Sequence, residues 1–151
     1  MNEQTSESTT PAVEPNPSIM AHVSIGTNRF GAAVAFYDKV LATLGAKRIV
    51  DVPGVAIAWG RQFPEFFVQI PYNQQAAETA NGVHFAFLAD SQKVVEDFYA
   101  AGIAAGATCD GEPGPRPDYS EAYYGCFMRD LEGNKIEAMH WDFSKAPVTT
   151  A

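Results

Sequence analysis

The sequence predicts an α+β fold made of two βαβββ modules in tandem. Three observations carry this. The hydrophobic period switches from 2 to 3.6 and back, twice along the chain. The two halves then repeat the same element order. Matched positions also share a spacing: His22 and His84 lie 62 positions apart, as do Phe36-Tyr37 and Phe98-Tyr99. Gln69 and Glu137, in the last strand of each half, lie 68 apart. The six extra residues are assigned to the Gly/Pro-rich stretch Gly111–Asp118, read as an inserted loop.

The elements follow in order. A first strand is expected over Ala21–Ile25, then a helix over about Phe30–Leu44 with Phe30, Val34, Tyr37, Leu41 and Leu44 on one face. Asn28 is the expected N-cap and Gly45 the C′ residue. Strands are expected near Lys47–Val52, Val55–Trp59 and Phe66–Ile70, with a turn at Pro53-Gly54. A polar connector, Pro71–Gly82, leads to a fifth strand, Val83–Ala89. The second helix is expected from Ser91, as cap, to Ala105, stopped by Gly106. Strands near Ala107–Cys109, Tyr123–Arg129 and Lys135–His140 complete the second half. Asp130–Asn134 reads as a turn, with Gly133 at positive φ and the charges facing water.

The domain therefore spans residues 20–143, as modules of about 20–72 and 82–143, between polar tails at 1–19 and 144–151. The N-terminal tail holds Pro11, Pro15 and Pro17 among Ser, Thr and Glu, a composition that cannot bury a core. With 46% hydrophobic and 19% charged residues, the rest suits one ordinary globular domain. A net charge of -8 argues against nucleic acid and anionic membrane surfaces, both of which need a basic face. The polar start lacks the apolar segment of a secretory signal, so a cytoplasmic protein is expected, with Cys109 and Cys126 as reduced thiols.

Strand alternation singles out the chemistry. Val23 and Ile25 alternate with His22 and Ser24, Val68 and Ile70 with Phe67 and Gln69. Phe85 and Phe87 alternate with His84 and Ala86, and Ile136 and Ala138 with Glu137 and Met139. Each strand has an apolar face for a helix and an opposite face carrying one group able to ligate metal. A single strand histidine is usually a hydrogen-bonded or surface residue. Two of them and a carboxylate at matched positions of two repeats read better as ligands. Two neutral imidazoles and a carboxylate suit one divalent ion such as Zn, Ni, Mn or Fe, with Gln69 as a weaker neutral fourth ligand. If the sheets curve around a common cleft, His22, Gln69, His84 and Glu137 converge in it. His140 has the opposite strand parity to Glu137 and is excluded. Arg116, in the inserted loop, is a candidate to hold an anionic substrate group by bidentate hydrogen bonds, although an arginine in such a loop is more often simply solvated. Tyr123 and Tyr124 straddle two faces, and Tyr124 is assigned to the substrate. Phe67, with Leu88 and Met139, is expected to wall the cleft.

The stretches HVSIG, FGAAVAFYDKVLATLGAKRI, NGVHFAF and MRDLEGNKIEAMH resemble the glyoxalase, bleomycin-resistance and extradiol dioxygenase superfamily, the vicinal oxygen chelate proteins. The resemblance covers residues 20 to about 143, most specifically in the FYxxxLxxLG helix and the DxxGNxIE hairpin. It implies paired βαβββ modules forming a cupped mixed sheet around a metal cleft, and commonly a homodimer. Family metal positions lie in the first and last strands of each module, which here are His22, Gln69, His84 and Glu137. Many glyoxalase I enzymes carry glutamate at the position of Gln69, so this chain lacks one carboxylate base.

Three functions follow, in order of preference. The first is a metal-dependent lyase, isomerase or transferase acting on a small oxygen-rich substrate. Chelation of two substrate oxygens would stabilise an enediolate or alkoxide, and Glu137, as the catalytic residue, would shuttle a proton. The second is an extradiol-type dioxygenase, whose iron triad of two histidines and a glutamate this chain can supply. The third is a non-catalytic protein that sequesters a drug.

Overall fold

The computed structural model describes residues 18–145. The expected tails fall outside these residues, except for 18, 19, 144 and 145. The first module runs β1 (Val23–Gly26), α1 (Phe30–Ala42), β2 (Lys47–Val52), β3 (Ala56–Gly60) and β4 (Phe66–Gln69). The second runs β5 (His84–Leu88), α2 (Gln92–Ala104), β6 (Thr108–Pro115), β7 (Tyr123–Arg129) and β8 (Lys135–Trp141). Both sheets use the same order, β1-β4-β3-β2 and β5-β8-β7-β6. In each, the first strand runs parallel to the last and the other pairings are antiparallel. The α+β fold and the repeated βαβββ order are as the sequence predicts.

The two modules share one core. Phe36, Tyr37, Val40 and Leu41 of α1 meet Trp59, Phe66 and Val68 of the first sheet. Val95 and Phe98 of α2 meet Met128, Ile136 and Ala138 of the second. Phe66 joins them: its ring centroid lies 5.8 Å from that of Phe85 and 5.2 Å from that of Phe87. Burying such side chains contributes about 1.5–3 kcal/mol each. The helix-facing sides of both sheets therefore merge into a single interior.

Three local expectations need correction. The stretch expected as an inserted loop supplies most of β6, which extends to Pro115. It sits at a sheet edge, where Pro113 and Pro115 lose no ladder bond they must make, and two register shifts against β7 absorb its irregularity. Asn28 does not cap α1, whose N-cap is Arg29 without a side-chain bond. The Asn28 amide instead exchanges two hydrogen bonds with the backbone of Ala77 and so ties the inter-module connector to β1. Ser91 does cap α2, accepting from the Val94 N–H at 3.2 Å.

The third correction concerns the turn Asp130–Asn134. Gly133 has φ +92° as expected, but the charges do not face water. Asp130 is buried and accepts from the Tyr37 hydroxyl at 2.6 Å and from the backbone N–H groups of Glu132 and Asn134. Glu132 accepts from Thr27 and Asn28 of the other module. These bonds fasten the β7–β8 hairpin under the start of α1, and charge-assisted bonds of this kind are the stronger ones.

Candidate metal centre

The β8 strand and its neighbours build the centre. The tight turn sets Arg129 opposite Lys135, and hence Phe127 opposite Glu137 and Ala138 opposite Cys126. Ile136 and Ala138 point into the core, so Glu137 points to the other face. On β5, the parallel neighbour, His84 is opposite Lys135 and Ala86 opposite Glu137. The His84 imidazole consequently leans over the Glu137 carboxylate, with Nε2 and Oε2 3.2 Å apart. His84 is half exposed on its side chain, whereas Glu137 is only 6% exposed.

Burying a carboxylate is costly unless it is bonded. Its second oxygen, Oε1, accepts a hydrogen bond from the Tyr123 hydroxyl at 2.7 Å. Gly125 makes this reach possible: a Cβ there would lie 2.2 Å from the Tyr123 oxygen, so the phenol lies across a backbone with no side chain. Burial, then the bond to Glu137 and its charge, hold the Tyr123 proton well above the ordinary tyrosine range. Tyr123 is thus a firm donor, and Glu137 keeps Oε2 for another partner. The tyrosine that reaches the site is therefore Tyr123 and not Tyr124, whose hydroxyl donates to Glu96 of α2 on the far side of the sheet. The hairpin count alone puts Tyr123, Phe127 and Glu137 on one face, a signal present in the sequence.

His22 and Gln69 belong to the other sheet. Gln69 lies opposite Gly26, and Phe67 opposite Ser24, on the face away from the core. His22 precedes β1 and is exposed, its ring centroid 5.1 Å from that of Phe67. Both sheets turn their helix sides inward, so the faces bearing His22 with Gln69 and His84 with Glu137 turn outward from a shared core. Among the described residues of the single chain, no three His, Cys, Asp or Glu side chains are grouped to hold a metal ion. The structure brings His84 and Glu137 together and places Gln69 on the other sheet, while His22 borders the same groove as His84 without joining the pair in a three-residue group. The free edges of β1 and β5 border a groove of about 650 Å³ lined by Met20, His22, Phe66, His84, Phe85 and Leu88.

The remaining residues divide by sheet. Arg116 follows β6 and lies on the Glu137 face, its guanidinium 5.9 Å from the Phe127 ring centroid. Leu88 is exposed at the groove and Met139 is half-buried. His140 points to the other side, its Nδ1 3.1 Å from the Ala89 carbonyl oxygen. Both thiols are free, Cys109 exposed and Cys126 buried, and burial pushes Cys126 up to about 11.

The His84–Glu137 geometry can be tested against a metal. Two donors each about 2.1 Å from one ion stand about 3.0–3.4 Å apart in octahedral or tetrahedral coordination. The observed 3.2 Å falls within that span and equally within the range of a direct imidazole–carboxylate contact. The donor types, one imidazole and one carboxylate, suit a borderline divalent ion. The Tyr123 hydroxyl fixes the orientation of the Glu137 carboxylate through its hydrogen bond to Oε1.

The glyoxalase/bleomycin resistance protein/dioxygenase superfamily model matches residues 19–138. No curated protein matches the chain. Among solved structures, the chain is similar to a glyoxalase/bleomycin resistance protein from Albidiferax ferrireducens T118, with 35% identity and a TM-score of 0.72 over 82% of this chain and 98% of that one. A family enzyme from Burkholderia phytofirmans PsJN shares 20% identity, with a TM-score of 0.63 over 81% and 98% of the two chains. A lactoylglutathione lyase from Agrobacterium tumefaciens shares 23%, with a TM-score of 0.57 over 84% and 96%, a likeness of fold alone. No helix among the described residues is long and apolar enough to cross a membrane. The tandem modules, the hairpin motif and the match over most of the chain agree: the protein belongs to the glyoxalase/bleomycin resistance protein/dioxygenase superfamily.

Proposed function

We propose that the protein is a metal-dependent, glyoxalase-like lyase, isomerase or transferase acting on a small oxygen-rich substrate. The observation that carries this is the His84–Glu137 pair, 3.2 Å apart on the outer face of a family sheet. His84, Glu137 and His22 would hold the ion, with Gln69 as a weaker fourth ligand. A divalent ion held there supplies Lewis-acid stabilisation of negative charge on substrate oxygens. Tyr123 orients Glu137, and Gln69 offers an amide oxygen but no base. Proton transfer then falls to Glu137.

The two half-sets of ligands face outward from one core, and β1 and β5 are free sheet edges. We read the protein as a homodimer in which His22 and Gln69 of one copy meet His84 and Glu137 of the other across a two-fold axis. Pairing β1 and β5 edge to edge between copies would also satisfy their open backbone groups. An extradiol-type dioxygenase remains the second reading, because two histidines and a glutamate match an iron triad.

The test is elemental analysis of the purified protein, then loading with Zn, Ni, Mn or Fe(II) and a turnover screen. Isomerisation or addition at a hemithioacetal, epoxide or hydroxyketone with Zn, Ni or Mn supports the first reading. Ring cleavage of a catechol that needs Fe(II) and oxygen favours the second. Tight ligand binding without any metal uptake would overturn both in favour of a sequestering protein.

A further inference from the structure

A group of cations stands on the outer face of the second sheet. Register places Arg129 opposite Lys135, Lys135 opposite His84, and Phe127 opposite Glu137. Residues opposite one another on a ladder project from the same face. Arg116 joins them from the end of β6. Its guanidinium carbon lies 5.9 Å from the Phe127 ring centroid and the Lys135 nitrogen lies 4.7 Å from it. The His84 ring centroid is 6.5 Å from the same ring. Phe127 is thus bordered by two cations and by the imidazole of the metal pair.

The charges on this face do not cancel. Asp110 is shared between Arg129 at 3.0 Å and Lys135 at 3.4 Å. Arg116 donates to the carbonyl oxygens of Glu112 and Pro115 and, among the described residues, makes no ion pair. Bonds to carbonyl oxygens fix the plane of the guanidinium without neutralising it, and they leave N–H donors over. Three cations therefore face Asp110 and Glu137, in a chain whose net charge is -8. A local positive excess on an acidic molecule is a field that selects anions.

We propose that Arg116 and Lys135 form an anion subsite that holds a carboxylate, phosphate or phosphonate of the substrate over Phe127, next to His84 and Glu137. The inference rests on reading that pair as the metal-bearing one, and it narrows the substrate to an oxyanion whose chelating oxygens lie beside the charged group. Arg116 supplies the planar, two-pronged contact and Lys135 a point charge.

Titration of the full-length protein, as purified and after chelation, with inorganic phosphate, methylphosphonate and acetate tests this by amide and arginine side-chain NMR. Saturable shifts are expected at Gly111, Arg116 and Phe127, and the anion that binds tightest identifies the oxyanion type. Arg116→Gln is expected to weaken binding by about tenfold, the loss of one charge-assisted contact. Lys135→Gln should weaken it less, since Asp110 already shares that charge. Lys93→Gln, the same change of net charge on α2, should leave it unaltered. Absence of saturable binding overturns the proposal, as does equal weakening by Arg116→Gln and Lys93→Gln. Divalent-metal titration of the same samples separates the two readings. Phosphate binding without metal uptake keeps the subsite and removes the metal pair, whereas metal uptake without phosphate binding does the opposite.

Discussion

The Tyr123 hydroxyl donates to Glu137 Oε1 at 2.7 Å across the bare backbone of Gly125. Removing the hydroxyl leaves the shape of the ring and frees the carboxylate to turn. Tyr123→Phe is therefore expected to lower divalent-metal affinity about 10–100-fold, the usual consequence of losing an outer hydrogen bond to a ligand. Calorimetric metal titration measures it. An affinity equal to that of the unaltered protein would show that Tyr123 does not position a ligand.

Gly125→Ala should have the same effect by a different route. The new methyl would lie 2.2 Å from the Tyr123 oxygen and 2.6 Å from its ring carbon, so the phenol must move off Glu137. Overpacking of this kind costs roughly 1–3 kcal/mol. Urea denaturation should show a lower midpoint with an unchanged slope, together with weakened metal binding.

Metal ligation itself is expected to follow the sheet faces. Glu137→Ala and His84→Ala should nearly abolish metal uptake, Gln69→Ala should reduce it modestly, and His140→Ala should leave it intact. If the site is shared between two copies, His22→Ala and His84→Ala proteins are each inactive in binding. Mixing them after reversible unfolding should restore roughly a quarter of the wild-type sites, carried by mixed dimers. No restoration, or a monomer mass by light scattering at micromolar concentration, would exclude the shared site.

Alkaline pH should unfold the protein through its buried phenols. Burial first, and then the charge and hydrogen bond of Asp130, hold the Tyr37 proton well above the ordinary tyrosine range. A proton held more tightly in the folded state contributes stability that is present below the unfolded pKa and is lost as pH rises toward the folded one. Melting temperature is expected to stay level to about pH 10 and to fall beyond it, together with tyrosinate absorbance. Tyr37→Phe should be less stable at neutral pH but show a shallower alkaline fall. An unchanged slope would assign the transition to other groups.

Asp130→Ala tests the inter-module fastening. Tyr37 loses its acceptor in a buried setting, and the hairpin loses the carboxylate that gathers the Glu132 and Asn134 N–H groups. A loss of roughly 2–3 kcal/mol is expected, typical of bonds to a buried charged group. Chemical denaturation measures it, and a change within experimental scatter would mean that the turn holds itself.

Much of this protein was settled by the chain alone. Periodicity defines which residues alternate on each strand, so the apolar faces of β4, β5 and β8 and the polar positions opposite them could be read directly. The repeat spacing gave the βαβββ order, and the five-residue turn at Asp130 even fixes the β7–β8 register that unites Tyr123 with Glu137. Local rules failed where a long-range partner outbid them. Asn28 left the helix cap for Ala77, Asp130 was drawn inward by Tyr37, and the Gly/Pro-rich stretch became an edge strand because β7 offered a ladder. What only the tertiary structure decided is how the two polar faces relate. Alternation says that a face is polar but not which way its sheet turns. Packing of the Phe66, Phe85 and Phe87 rings against one another points both faces outward, and so keeps His84 with Glu137 on one sheet and Gln69 on the other, with His22 and His84 bordering the groove between the two strand edges.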